Sequence, residues 1–272
     1  MLSDAATYSK HRILQIEDTL PFVSSVIKKM DWSREDEDIG MDIGCGSGNS
    51  CLEILLPALP RVKKFFAIDI IPEMIAFAKE NNSHKKIEYH VADIGDRNTL
   101  EVWLGKITKI ISIHCFHWLK DQREGFNNIY HLLKPGGEAA MIIALNAKHW
   151  NSYEDQINNP KWNKYLKNAD TNVPESYYLN YGASYYKTLL TNVGFSVNYC
   201  EEEEIAHILP DDETCAEEVY GIYSLSKYIP EELKEEFKKD VLKAVVKYNG
   251  RSNDSKPMFC YTILKLLLKK PL

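Results

Sequence analysis

The sequence predicts an α/β fold built on a doubly wound parallel sheet. Two observations lead to this prediction. Short apolar runs alternate with helical patterns through residues 36–145, as βαβ units do, and the first run ends in a glycine-rich turn, MDIGCGSGNS, that opens a helix. A chain of 272 residues with 44% apolar side chains also has enough material for a substantial core.

The predicted elements follow one another along the first half of the chain. Helical spacing from Asp4 to Met30 is interrupted by Pro21, which predicts two helical pieces before the first strand. Five strands are predicted in EDIGMDIG, VKKFFAIDI, KIEYHVADI, ITKIISIHC and EAAMIIAL, with helices between them. Pro72 begins the helix PEMIAFAKEN at a position where its missing N–H costs nothing. KPGG ends a long helix before the fifth strand.

The pattern changes beyond Leu145. The next 40 or so residues are rich in Trp, Tyr and Asn and show no strand-like alternation. YYKTLLTNVGFSVNYC predicts a helix and a sixth strand, and PMFCYTILKLLLK predicts a last strand. Between them we expect a helical, acidic segment from about Glu201 to Tyr248.

Charge and composition exclude several classes of function. A net charge of −6 opposes binding of a polyanion, so no nucleic-acid partner is expected. The acidic runs REDEDI and EEEEI are interpreted as solvated loop or strand-edge segments. No signal-peptide pattern and no apolar run of about 20 residues is found, so we expect no membrane span and a cytoplasmic location. Six scattered cysteines lack metal-ligand spacing and are expected to be reduced small hydrophobes, with no metal bound.

The glycine-rich turn indicates a cofactor. A dinucleotide fingerprint, G-x-G-x-x-G/A, requires a small residue where Asn49 stands, and the third glycine comes one position early at Gly48. The spacing D-x-G-x-G-x-G of Asp42, Gly44, Gly46 and Gly48 instead resembles the first motif of class I S-adenosylmethionine-dependent methyltransferases. That resemblance implies a Rossmann-like sheet, S-adenosylmethionine as cofactor, and a carboxylate near its ammonium group.

Later residues extend this resemblance. Asp69 ends the second strand, where an acidic side chain accepts hydrogen bonds from ribose hydroxyls. The stretch DIIPEMIAFAKEN resembles the methyltransferase pattern in which Ile70 and Met74 flank the adenine. Asp93 in VADI follows the third strand and corresponds to the acid directed toward the adenine amino group. The other residues assigned to the cofactor are Ile94 and Ser112.

The exit of the fourth strand indicates which atom is methylated. Enzymes that methylate adenine usually carry Asp/Asn-Pro-Pro-aromatic here, whereas this chain has SIHCFHWLKDQ. The stretches HCFHWLKDQREGFNNIYHLLKPGG, YSKHRILQIED and NPKWNKYLKNAD resemble the juvenile hormone acid methyltransferase family of arthropods. Phe116 stands where that family usually has Leu, and Gly125 where it usually has Ala.

This resemblance implies methylation of the carboxylate of farnesoic acid or juvenile hormone acid to a methyl ester. The residues implied at the acceptor are Gln15, His117 and Trp118. The residues expected to bind the substrate are Tyr8, which could also close over the cofactor, and Trp150, Tyr153, Trp162 and Tyr178, which are expected to contact an apolar tail. Each has a structural alternative: Gln15 facing solvent, His117 satisfying backbone groups, Trp118 packing in the core, Tyr8 lying on the surface, and the other aromatics joining the insertion to the sheet.

Two other functions stay open. A related scaffold methylates small polar acids such as trans-aconitate, but a polar acid calls for arginines, and residues 146–200 contain none. A non-catalytic protein that binds S-adenosylmethionine or a terpenoid would keep the same cofactor motif. Sequence gives no oligomeric state.

We expect one methyltransferase domain over the whole chain. Its parts are N-terminal helices over the active site (1–35), a cofactor-binding core (36–145), lid insertions around strand six (146–257) and the last strand (258–272).

Overall fold

The computed structural model of the chain confirms the predicted α/β class. It describes residues 5–32, 37–59, 61–169, 173 and 175–272, so the acidic run REDEDI lies partly outside the described residues. Seven strands form one sheet in the order β3-β2-β1-β4-β5-β7-β6. The strands are β1 (Asp38–Ile43), β2 (Val62–Asp69), β3 (Ile87–Val91), β4 (Ile107–Ile113), β5 (Leu133–Ala147), β6 (Ser196–Ile208) and β7 (Met258–Lys269).

The first five strands carry the doubly wound pattern. β1 pairs in parallel with both β2 and β4, β2 pairs in parallel with β3, and β4 pairs in parallel with β5. The chain order therefore reverses on either side of β1, and open α/β sheets bind ligands at the carboxyl ends of strands at such a reversal.

Helices occupy the segments between strands. They are α1 (Ala5–Lys10), α2 (Ile13–Ser25), α3 (Leu56–Ala58), α4 (Pro72–Asn81), α5 (Gln122–Leu132), α6 (Trp150–Asn158), α7 (Asn163–Leu166), α8 (Glu175–Leu179), α9 (Ala183–Val193), α10 (Asp212–Ile222) and α11 (Lys234–Asn249). A π-helical turn covers Cys51–Leu55, and 3₁₀ turns cover Ile27–Lys29, Arg97–Trp103, Phe116–Trp118, Ser224–Tyr228 and Glu231–Leu233.

The break between the two N-terminal helices is not at Pro21, so that prediction is wrong. Pro21 lies inside α2, and the two residues between Lys10 and Ile13 separate the helices. The Arg12 guanidinium donates to the carbonyl of Ser9 at 2.9 Å. The backbone N–H of Ile13 donates to the Glu218 carboxylate at 2.9 Å, which satisfies one open donor at the start of α2.

The helical prediction from Glu201 is wrong as well, because β6 continues to Ile208 and the next helix begins at Asp212. β6 is the last strand of the sheet, so one of its edges is unpaired and four consecutive glutamates, 201–204, stay exposed. Glu203 also pairs with Lys265 of β7. The strand-edge interpretation of EEEEI is thereby confirmed.

Two compact units make up the chain. The helical unit contains Met1–Leu14, Asn146–Val173 and Glu204–Thr262, and the sheet unit contains Gln15–Leu145, Pro174–Glu203 and Ile263–Leu272. The boundaries between the helical unit and the sheet unit fall inside β5, β6 and β7. The organisation into one domain with lid insertions stays a prediction.

Each unit has its own core. In the sheet unit, the buried Lys109 ammonium of β4 lies 2.6 Å from the buried Glu138 carboxylate of β5, among apolar strand residues. In the helical unit, Tyr153 packs on Tyr223 with ring centroids 4.2 Å apart. All six cysteines are free thiols. Among the described residues, no helix is both long and apolar enough to cross a membrane.

Candidate cofactor and acceptor site

The glycine loop follows β1 at the carboxyl edge of the sheet. The backbone N–H groups of Gly44 and Cys45 both donate to the carbonyl of Ile68, at 2.8 and 3.0 Å, which holds the loop against the end of β2. Gly44 and Gly48 have φ of +78° and +80°, a region that other residues rarely adopt. The alternating glycines therefore let the chain turn tightly at this edge.

The protein's own side chains occupy the space that these glycines leave open. A Cβ on Gly44 would lie 2.4 Å from Cβ and Sγ of Cys115, just after β4. A Cβ on Gly48 would lie 2.8 Å from the Tyr89 hydroxyl and 2.9 Å from Cβ of Ala78. These two glycines are thus needed for packing of the loop, in addition to any role in ligand approach.

Asp69 joins the glycine loop to the start of the following helix. Its two carboxylate oxygens accept hydrogen bonds from the N–H of Gly46 at 2.8 Å and the N–H of Ile71 at 2.9 Å. A carboxylate has about four acceptor positions, so these backbone donors leave capacity for a ribose hydroxyl. Burial raises the pKa of Asp69, and these N–H donors oppose that rise by favouring the charged form.

Asp42 is a buried acid at the end of β1. Burial, together with the nearby charge of Asp69, raises the pKa of Asp42 to about 7. The carboxyl group is therefore close to half-protonated at neutral pH, and a cation beside it would favour its ionised form. The ammonium of a methionine tail is such a cation.

The residues predicted to flank the adenine differ in exposure. Ile70 is exposed, whereas Met74, in the first turn of α4, is buried. Their contact with adenine stays a prediction.

The last three predicted cofactor residues are Asp93 and Ile94, which follow β3, and Ser112, which lies near the end of β4. The Asp93 carboxylate accepts the N–H of Gly95 at 2.7 Å, which shapes its own turn, and Ile94 is buried. The Ser112 hydroxyl donates to the carbonyl of Ile43 at 2.9 Å and so joins β4 to β1 at the carboxyl edge. All three lie at the edge that carries the glycine loop, but their ligand contacts stay predictions.

The turn Phe116–Trp118 carries two of the predicted acceptor residues and is called the acceptor turn. Residues of α5 fix its position. The Gln122 amide donates to the carbonyl of Phe116 at 3.1 Å and accepts from the Tyr186 hydroxyl at 2.7 Å. The Phe116 ring is fully buried 4.8 Å from the ring of Phe126. His117 and Trp118 are therefore carried on a fixed turn that follows β4.

Two of the predicted acceptor residues lie side by side in this turn. His117 is buried and Trp118 is half-buried, with ring centroids 4.8 Å apart. The ring of His117 is also 6.2 Å from that of His114.

The third, Gln15, is half-buried on α2. Three residues further along the same helix, Asp18 has its carboxylate 2.8 Å from Nε2 of His114. Residues three apart share one helix face, so this pair lies on the side of α2 that carries Gln15. Asp18 and His114 lie in the stretches YSKHRILQIED and HCFHWLKDQREGFNNIYHLLKPGG but are not among the predicted site residues.

Two further residues support the glycine loop and carry no sequence signal of that role. The buried amide of Asn82 donates to the carbonyl of Ser47 at 2.7 Å. The Tyr89 hydroxyl donates to the carbonyl of Asn82 at 2.9 Å and lies against Gly48.

Most of the predicted tail residues belong to the helical unit. Trp150, Tyr153 and Trp162 are buried there, Trp162 donating from its indole N–H to Asp240 at 3.1 Å. Tyr8 is half-buried in the same unit. These contacts are those of a packed core.

Tyr178, the remaining tail residue, lies in the sheet unit and is 60% exposed. For all five residues, contact with the substrate stays a prediction.

The carboxyl groups of Asp42 and Asp69 fit S-adenosylmethionine. Asp69 retains acceptor capacity for a ribose hydroxyl, and Asp42 offers a buried carboxyl group that a neighbouring ammonium would ionise. When bound, this cofactor supplies a methyl group on a positively charged sulfur.

Comparisons with known proteins agree with the geometry. Residues 41–141 match a family model described as a methyltransferase domain. The chain is 25% identical over 258 residues to juvenile hormone acid O-methyltransferase of Drosophila melanogaster, covering 93% of this chain and 87% of that protein. It is 23% identical over 245 residues to the protein of the same name from Bombyx mori, covering 90% and 86%. A Bacillus halodurans protein assigned to the methyltransferases superposes with a TM-score of 0.60 at 15% identity, covering 92% and 99%.

The fold, the glycine loop and the domain match define a class I methyltransferase whose cofactor is S-adenosylmethionine. Within that class, the chain is similar to juvenile hormone acid O-methyltransferases over nearly its whole length.

Proposed function

We propose that the protein is a carboxyl O-methyltransferase that converts a sesquiterpenoid acid, farnesoic acid or juvenile hormone acid, to its methyl ester. The observation that carries this proposal is the extent of the similarity. The methyltransferase domain match covers 41–141, whereas the similarity to juvenile hormone acid O-methyltransferases extends over 93% of the chain. It therefore includes segments outside the cofactor-binding region, where class I enzymes differ in acceptor.

The chemistry of a carboxylic acid suits the residues of the acceptor turn. A carboxyl group with an ordinary pKa of about 4 to 5 is already ionised at neutral pH, so methyl transfer to it needs no general base. When bound, the cofactor would supply its methyl group to an oxygen of the ionised carboxylate and would be left as a neutral thioether. The chain's contribution is alignment of the acceptor and exclusion of water.

Gln15 and the indole N–H of Trp118 are proposed to hold one carboxylate oxygen while the other attacks. Both are neutral donors. A Lys or Arg in their place would bind the ground-state anion strongly and lose that interaction as the ester forms, which slows the reaction. His117, buried against Trp118, is proposed to fix the orientation of the indole.

The test is transfer of a labelled methyl group to a panel of farnesoic acid, juvenile hormone acid, saturated fatty acids and trans-aconitate. We expect turnover of the terpenoid acids and little of aconitate. Gln15→Ala and Trp118→Ala should each lower kcat/KM on the preferred acid at least tenfold while leaving affinity for S-adenosylhomocysteine within twofold. Values of kcat/KM within twofold of wild type for both variants would place the acceptor elsewhere, and preference for aconitate would overturn the substrate class.

A further inference from the structure

We infer that Asp18 and His114 form a positioning pair for the acceptor, which fixes the helix carrying Gln15 against the turn carrying His117 and Trp118. The inference rests on the proposed function, because it takes those three residues as the acceptor side of the site. The pair joins two segments that are 96 residues apart in the chain.

The geometry of the pair is that of a strong, protected contact. Nε2 of His114 lies 2.8 Å from a carboxylate oxygen of Asp18, whose side chain is only 1% exposed, against 16% for His114. Hydrogen bonds to a charged group that is shielded from water are stronger than ordinary ones. The contact therefore holds α2 at a defined position relative to the end of β4.

The backbone at His114 is held in an unfavourable conformation. Its φ is +54°, which is uncommon for a residue other than glycine, and its N–H donates to the carbonyl of Ile142 at 3.0 Å. Such conformations occur preferentially at functional sites. Here the conformation follows directly after β4, next to Cys115, which contacts Gly44 of the cofactor loop.

The experiment compares four variants with the wild-type enzyme. His114→Asn removes the contact but tolerates positive φ, Asp18→Asn removes the charge, and the double variant removes both without leaving a buried unpaired charge. His114→Gln places an amide nitrogen close to the position of Nε2 and so restores the contact with Asp18. His90→Asn is the matched control, because half-buried His90 contacts Glu88 at 3.6 Å on β3, in another part of the sheet.

For each protein, kcat and KM for the preferred acid, affinity for S-adenosylhomocysteine and Tm are measured. We expect His114→Asn, Asp18→Asn and the double variant to lower kcat roughly tenfold to a hundredfold, since small misplacements have effects of that size. KM and cofactor affinity should change less than threefold, His114→Gln should recover a large part of kcat, and His90→Asn should match wild type.

Two results would overturn the inference. One is a double variant with kcat within twofold of wild type, and the other is a loss of kcat that follows Tm across the set with no recovery in His114→Gln. A wild-type protein that binds S-adenosylhomocysteine but methylates none of the acids would instead refute the proposed function, and the inference would fall with it.

Discussion

Proton-linked binding of the cofactor is the sharpest consequence of the buried acid at the end of β1. The pKa of Asp42 is raised to about 7 by burial and by the charge of Asp69. A ligand whose ammonium group requires the ionised carboxylate must remove the proton from the fraction of molecules that carry it. Binding should therefore tighten as pH rises and release a proton.

The magnitude follows from that pKa. With a value of about 7, roughly one molecule in eleven has an ionised Asp42 at pH 6, and about three in four have it at pH 7.5. Because apparent affinity is proportional to the competent fraction, the Kd for S-adenosylhomocysteine should fall about eightfold over this range, or about 1.2 kcal/mol. At pH 6.5 about 0.8 proton should be released for each ligand bound.

Titration calorimetry in buffers of different ionisation enthalpy measures both quantities. Asp42→Asn is the matched variant: it should bind more weakly at pH 7.5, show no pH dependence from this group, and release almost no proton. A wild-type Kd that changes less than twofold between pH 6 and 7.5, with no proton released, would show that the ligand does not depend on an ionised Asp42.

The ligand-free protein should show the opposite trend in stability. Because the folded chain binds this proton more tightly than the unfolded chain, the free energy of unfolding should fall as pH rises from about 4 to about 7 and then level off. Asp42→Asn should be less sensitive to pH over that interval, and identical slopes for the two proteins in urea unfolding would contradict the assignment.

Two further predictions concern the packing around Gly48 and the buried ion pair of Lys109 with Glu138. Gly48→Ala should destabilise the protein by clearly more than the roughly 1–2 kcal/mol expected from positive φ alone, since the new Cβ would lie 2.8 Å from the Tyr89 hydroxyl. Gly105→Ala, with φ of +65° and no atom within 4 Å, should show only the conformational cost, and equal losses in urea unfolding would refute the packing argument. Lys109→Met should cost about 3–5 kcal/mol by leaving the Glu138 carboxylate buried without its cation, although the N–H of Asp31 still donates to it at 2.7 Å, and Lys109→Met with Glu138→Leu should recover part of that loss. A double variant no more stable than the single one would contradict this reasoning.

Local patterns were sufficient to predict the sheet and the cofactor edge. Strand, turn and helix signals are short-range, and parallel strands place their carboxyl ends at the same edge. The glycine motif and Asp69 therefore came together as expected, with Gly46 bonded to Asp69 at 2.8 Å. The helix from Pro72 to Asn81 was predicted with its bounds, because proline defines its start.

Long-range pairing could not be predicted in the same way. The start of α2 is defined by Glu218, which is 205 residues from Ile13, so the visible proline was a misleading signal. The glutamates of β6 resemble a helical acidic segment until the sheet order shows that β6 is an edge strand. Asp18 and His114 lie in two of the family-like stretches, YSKHRILQIED and HCFHWLKDQREGFNNIYHLLKPGG, but neither stretch indicates that these two side chains meet across 96 residues.

Phe116 and Gly125 are the two departures from the family pattern in the acceptor stretch, and they lie against each other. A Cβ on Gly125 would lie 3.0 Å from Cε1 of Phe116 and 2.5 Å from Cδ2 of Leu119. Contacts of 3.0 Å to a rigid, fully buried ring leave little room, so the larger Phe is compatible with glycine and crowded by alanine. The buried Phe116 ring and Gly125 therefore fit each other beside the turn that carries His117 and Trp118.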